Sequence, residues 1–286
     1  MSSTLYINHN GNIEDASRPL FNASNRAFRY GDALFETIRL MNGEIIYFEK
    51  HLNRLRKSME LLGMNSHADL TFHNLYLSIR HLDQVNKLKG NGRIRLEVFR
   101  NDGGLYTPQT NDVSYVIEAL PLENREYMLN ENGLRIELYT EIQKPLSRLS
   151  NLKSSNSLYY VMAGLHKRKT GVGDCLVLNT HNRIAEAISS NLFILAGAKV
   201  ITPSLQEACV SGVMRETVIE MLRSEGRDVT EGSINVEQLL AADEVFLTDV
   251  IHGIRWVGAF RNKRYFNLFS RKLLQQIKSL HEIKKA

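Results

Sequence analysis

Between Ala33 and Gly63 the apolar pattern changes period once, and that switch limits what the chain can build. Residues 33–48 are rich in apolar and β-branched side chains on both sides of Asn42-Gly43. That pair is the strongest signal for a two-residue turn, because both positions need left-handed backbone. The stretch reads as a β-hairpin. From Glu49 to Leu62 the spacing lengthens, with Leu52, Leu55, Met59 and Leu62 recurring at three- and four-residue steps. This stripes one helix face, and Gly63 follows as the C′ residue.

The same reading places further helices over 70–87, 155–170 and 211–224. Asn235 and Gln238 fit a capping box for a short helix, and Asn267 is a candidate cap for the last one. A short strand and turn begin at Thr4. Strands are expected over 93–100, 113–120, 134–141, 175–179, 184–188, 192–195, 200–202, 244–250 and 254–260. The run PLENREYMLNENG at 121–133 is polar, opens with Pro and closes with Gly, as an inter-domain connection does. The fold class is therefore α+β: two mixed α/β domains, a smaller one over 1–120 and a larger one over 134–286.

Composition removes several functions. A chain of 286 residues buries roughly three-quarters of its unfolded surface. It contains no apolar run of about 18 residues, which speaks against a membrane span. No secretory signal is visible at MSSTLYINHN, and a cytoplasmic protein is expected. The two cysteines form no CxxC pair, and the nine histidines show no HExxH, so no metal is expected. The net charge of +5 is densest from Arg271 to Lys285, within a helical pattern. A solvated helix face accounts for it, and no nucleic-acid partner is implied.

Five candidate positions carry chemistry, and each also has a plain structural reading. Ser211-Gly212-Val213-Met214-Arg215 opens a helix whose first N–H groups make a phosphate cradle or an ordinary helix start. Lys153, before Ser154-Ser155-Asn156, is an imine-forming amine if partly desolvated and otherwise an exposed lysine. Glu186 interrupts an apolar strand and needs water or a buried partner. Arg54 lies beside the apolar stripe of its helix, either clamping a phosphate or lying across the surface. Thr248 sets a hydroxyl at a strand end, where it is equally a cap.

The order of these elements is more specific than any one of them. YGDALFETIR (30–39), EKHLNRLRKS around Arg54, LKSSNSL around Lys153, AEAISSNLF around Glu186, SGVMRETVIE after Ser211 and ADEVFLT ending at Thr248 follow one another. Together they resemble the class IV aminotransferases, the fold-type IV pyridoxal-phosphate enzymes. That group contains branched-chain and D-amino-acid aminotransferases and aminodeoxychorismate lyases.

The resemblance implies two domains with a cofactor cleft between them and a homodimer acting on small amino or carboxylate substrates. It implies that Lys153 binds pyridoxal 5′-phosphate covalently and then shuttles the proton, while Glu186 pairs with the pyridine nitrogen. Arg54, the backbone of Gly212, Val213 and Met214, and Thr248 with Asp249 are implied to hold the phosphate. Asn191 lies near the cofactor. Gly-Val-Met-Arg at 212–215, GDALFET at 31–37 and RNDGGLY at 100–106 look more like the lyases than the transaminases.

In the lyase reading, Lys153 takes a proton from the external aldimine of 4-amino-4-deoxychorismate, yielding 4-aminobenzoate and pyruvate. Thr37 is then a candidate catalytic hydroxyl, and Arg29, Tyr30, Arg100 and Arg148 are candidates for the substrate. A branched-chain or related transaminase using glutamate is the alternative, and a cofactor-free binding protein a second one.

Overall fold

The computed structural model describes residues 5–283; Thr4 and Lys284-Lys285 lie outside it. The chain divides into two compact units. One runs to Glu126 and takes in Lys153–Asn156, and the other is formed by Tyr127–Leu152 and the chain from Ser157 on.

The first unit contains β1 (Tyr6–His9), β2 (Asn12–Asp15), α1 (Arg26–Tyr30), β3 (Ala33–Met41), β4 (Glu44–Ile45), α2 (Phe48–Leu61), α3 (Phe72–Val85), β5 (Gly92–Arg100) and β6 (Val113–Pro121). Its sheet has the order β2-β1-β6-β5-β3-β4, with every neighbouring pair antiparallel. The expected hairpin is β3–β4. Asn42 and Gly43 both take positive φ, 52° and 84°, as the tight turn demands. Alternation along β3 puts Leu34, Glu36, Ile38 and Leu40 on one face and Phe35, Thr37 and Arg39 on the other. Helix α2 packs on β3 through its buried Leu52, Leu55 and Met59.

The expected boundaries place residues 153–156 in the larger C-terminal domain, and the periodicity starts a helix at 155. In the structure residues 153–156 group with the first unit, and the helix begins at Leu158. Residues 153–155 meet the outer edge of β3 through one isolated antiparallel bridge, Leu34 with Ser154: Phe35 N–H donates to Lys153 O at 2.8 Å and Ser155 N–H to Ala33 O at 3.0 Å. Strand β4 covers only the far end of that edge, at Leu40 and Met41. The backbone groups at Ala33–Phe35 therefore take their partners from this segment.

The second unit contains β7 (Leu134–Lys144), a short 3₁₀ turn (Arg148–Asn151), α4 (Leu158–Thr170), β8 (Asp174–Asn179), β9 (Ile184–Ala187), β10 (Asn191–Ala196), β11 (Lys199–Pro203), α5 (Val213–Ser224), β12 (Val229–Gly232), α6 (Val236–Ala241), β13 (Glu244–Asp249), β14 (Gly253–Phe260), β15 (Lys263–Arg264) and α7 (Leu268–Ile283). Its sheet runs β12-β11-β10-β13-β14-β7-β8-β9, with β15 on β14. Parallel pairs at β11–β12, β14–β7 and β7–β8 make it mixed.

Strands β7 and β8 are covered on both faces. Ile136, Leu138, Leu176 and Leu178 enter one apolar cluster, while Tyr139, Cys175 and Val177 enter another with Ala163 of α4. This explains the unbroken apolar reading of CLVL. The capping box at Asn235 forms as expected, with reciprocal bonds to Gln238 of 2.8 and 2.9 Å. At α7 the expected cap is corrected: the amides of Phe269 and Ser270 donate to the carboxylate of Glu244, not to Asn267. Among the described residues, no helix is long and apolar enough to cross a membrane, and no group of three or more His, Cys, Asp and Glu is placed to hold a metal.

Replacing Asn235 with Ala removes one half of the capping box and is expected to cost about 1 kcal/mol, read from urea unfolding of the two proteins.

Candidate active site

In the first unit the amine of Lys153 lies 4.4 Å from the centre of the Phe35 ring, and the guanidinium of Arg95 lies 3.9 Å from the same ring. The β3–β5 register sets Phe35 opposite Glu97 and Thr37 opposite Arg95, so these side chains share a face. Arg95 binds Glu97 through Nε and Nη2, at 2.9 and 2.6 Å. Glu97 in turn accepts from the Ser155 hydroxyl at 2.6 Å, which secures the segment beside Lys153. Sequence reasoning did not single out Arg95. The available signal was the alternation Arg93-Ile94-Arg95-Leu96-Glu97, which sends every charged side chain to one face.

Arg54 is held by an unforeseen partner. Its Nε donates to Glu36 Oε1 at 2.8 Å and its Nη2 to Oε2, while His51 Nδ1 lies 2.6 Å from Oε2. Glu36 is fully buried. Burial alone would raise its carboxyl, but Arg54 and His51 overcome that and hold it at about 2. Burial pushes the His51 imidazole down, against the pull of Glu36. His51 Nε2 is buried without a hydrogen-bond partner.

Of the other candidates in this unit, one is engaged internally. Arg100 is buried and engaged internally by Asp32 at 3.0 Å, Leu62 O at 2.8 Å, Gly63 O at 3.3 Å and the side chain of Asn111. It is a clamp on the loops at the end of β5, not a group offered to a substrate, because its donors face internal acceptors. Arg29 is exposed and donates to Ala23 O at 2.8 Å. Tyr30 packs against Tyr106, with 5.6 Å between ring centres.

In the second unit Glu186 is buried in β9. Val177 is its cross-strand neighbour, so it faces the side of the sheet on which α4 packs. Oε1 accepts from Lys144 Nζ at 2.6 Å and from the Tyr160 hydroxyl at 2.7 Å, and Oε2 accepts from the Val210 N–H at 3.0 Å. Burial, followed by the charge of Glu186, raises the Tyr160 hydroxyl well above its ordinary value, so it remains a donor. The sequence required a partner for this acid without identifying it. Lys144, nine residues before Lys153, supplies it.

Helix α5 starts at Gly212, whose backbone is extended at φ −72°, ψ 133°. A Cβ at that position would stand 1.8 Å from Asn191 Oδ1. Asn191 donates to Val210 O at 2.9 Å and pairs across the ladder with Thr248. Thr248 Oγ1 is buried without a hydrogen-bond partner. An orphaned hydroxyl on a strand paired with Asn191, a glycine-only helix start against Asn191, and the first-turn N–H groups of Val213 and Met214, which have no partner within the helix, make a suitable set for an anion.

Asp249 does not extend that set through its carboxylate. It accepts from the amides of Ile251 and His252, both at 2.9 Å, and from the Ser190 hydroxyl at 3.0 Å. The role is to hold the β13–β14 turn. Burial would raise this carboxyl, and His252 and Arg255 bring it below its ordinary value, a negative charge that would repel a phosphate. Arg148 is exposed in the 3₁₀ turn.

A model of the class IV amino-transferases matches residues 33–260, and the chain belongs to that family. An aminodeoxychorismate lyase from Vibrio harveyi is 28% identical over 238 residues, covering 80% of this chain and 83% of its own. The branched-chain aminotransferase of Thermoproteus uzoniensis, solved with norvaline, has a TM-score of 0.85 at 22% identity over 96% of this chain and 93% of its own. That of Thermobaculum terrenum, solved in its PLP form, has a TM-score of 0.82 at 20% identity over 98% and 94%. The fold is that of the fold-type IV aminotransferases.

Two outcomes follow from this geometry. Because the folded-state value of Glu36 lies below its ordinary 4.5, its stabilisation is present above that pH and is lost as pH falls toward 2. Glu36→Gln should therefore flatten the loss of stability between those values, in calorimetric scans across pH, while costing on the order of 3 kcal/mol at neutral pH. Gly212→Ala, which drives a methyl into Asn191, should cost about 1–3 kcal/mol, measured by chemical unfolding.

Proposed function

We propose that the chain is a pyridoxal-phosphate enzyme that converts 4-amino-4-deoxychorismate to 4-aminobenzoate and pyruvate. The observation that carries the choice of reaction is that the Thr37 hydroxyl shares a face of β3 with Phe35, against which the amine of Lys153 lies. The lyase-like motifs at 31–37 and 212–215 and the Vibrio harveyi lyase among the relatives support the same reading.

The residues fit the cofactor. Thr248 Oγ1 offers a buried donor with no other partner, and the Gly212 start of α5, where Asn191 leaves no place for a Cβ, presents the first-turn amides of the helix. Three donors converge on Glu186, which accepts through both carboxylate oxygens. Lys153 would hold the cofactor covalently and Glu186 would meet its ring nitrogen. Thr248, the amides of Val213 and Met214, and Arg54 oriented by Glu36 would take the phosphate, with Asn191 shaping the helix start. When bound, the cofactor supplies an electron sink for charge developing on the substrate.

The chain's own groups do the rest. The amine of Lys153 removes the proton from the ring carbon that bears the substrate nitrogen. Thr37 directs a proton to the methylene carbon of the enolpyruvyl group, whose bond to the ring breaks. One proton leaves and one enters, pyruvate departs, and the ring becomes aromatic with no oxidant needed. Arg95, flanking Phe35 opposite Glu97, is suited to a substrate carboxylate. The working unit is a homodimer in the cytoplasm.

The assay is release of pyruvate and 4-aminobenzoate from aminodeoxychorismate. Lys153→Ala should lower it by about 1,000-fold or more. Keto-acid formation from glutamate or leucine, without that release, would move the reading to a transaminase. A colourless protein indifferent to borohydride after incubation with pyridoxal phosphate would reduce it to a binding protein.

A further inference from the structure

We propose that Lys144 is a positioning residue that keeps the Glu186 carboxylate ionised and aimed, so that a proton shared with the cofactor rests on the ring nitrogen and not on the acid. The inference builds on the cofactor reading above, but it arises from a lysine that no step of the proposed reaction uses. The side chains of Lys144 and Glu186 are each only 4% exposed, and Nζ stands 2.6 Å from Oε1. Lys144 also donates to the Tyr160 hydroxyl at 2.7 Å, and that hydroxyl donates to the same Oε1. The three groups close a triangle on one oxygen. They leave Oε2 with the Val210 N–H and room for another donor.

An ammonium in this position is costly to bury unless it does electrostatic work on its partner. It lies against Oε1 and not against the oxygen left with a single amide, so its charge acts directly on the carboxylate. The other titratable groups nearby do not replace it. Tyr160 is a neutral donor. Burial and the charge of Glu186 push the Cys209 thiol up to about 12, which leaves it neutral. Arg215, which also acts on Cys209, is turned to Pro203 O and Glu231, both at 2.8 Å. Within this cluster Lys144 is the cation in contact with Glu186.

The test uses full-length protein loaded with pyridoxal phosphate carrying ¹⁵N in the ring, observed by NMR at neutral pH. In wild type the ring nitrogen should resonate as a pyridinium. In Lys144→Met it should move toward neutral pyridine, with the proton ratio changing about tenfold, and Lys144→Arg should restore the wild-type position. Should the Met variant not fold, Lys144→Gln, which keeps a donor but loses the charge, carries the same expectation. A ring signal unmoved in the neutral variants overturns the inference. If borohydride fixes no cofactor on Lys153 of wild type, the cofactor reading falls first and this inference falls with it.

Discussion

The isolated bridge between Leu34, at the edge of β3, and Ser154 is the contact on which the functional reading of the first unit rests. Two backbone hydrogen bonds, from Phe35 to Lys153 and from Ser155 to Ala33, convert a mobile amine on a connecting segment into one with a defined face. A lysine has four rotatable bonds, so its position has meaning only when its backbone is fixed. Register then brings Phe35, Thr37, Arg95 and Glu97 to the same side. The Ser155–Glu97 hydrogen bond fastens the segment a second time through side chains. Chemistry assigned to Lys153 is thus a property of the edge strand as much as of the residue.

Each unit also buries an acid in apolar surroundings, and each compensates it differently. Glu36 faces a forked guanidinium and an imidazole, a geometry that matches both carboxylate oxygens and restrains Arg54. Glu186 faces a lysine and a phenol on one oxygen and a single amide on the other. The first arrangement occupies both oxygens of its acid with charged or titratable groups. The second is lopsided, and the lopsidedness leaves an acceptor available.

Much of the architecture was legible along the chain. The Asn42-Gly43 turn, the stripe of Leu52, Leu55 and Met59, and the capping box at Asn235 are local features whose causes lie within a few residues, and the structure contains all three. The errors came where distant elements compete with local preference. Asn267 sits where a cap belongs, yet Glu244, over twenty residues earlier, takes the helix amides. Residues 155–157 continue a helical pattern, yet the Ser155 amide goes to Ala33 O at the edge of β3 and the helix begins only at Leu158. Arg100 carried a motif-like setting, and only its four internal acceptors reveal a clamp.

From the sequence alone came the family, the order of strands and helices, and the candidate lysine, strand acid and helix-start glycine, because each is marked by residue type and short-range spacing. Tertiary structure alone decided the partners: Lys144 and Tyr160 for Glu186, Arg54 and His51 for Glu36, and the Phe35 ring for Lys153 and Arg95. Those pairings all join residues distant in sequence. A buried charge selects its counter-charge through packing and desolvation, and neither quantity exists until the chain has folded.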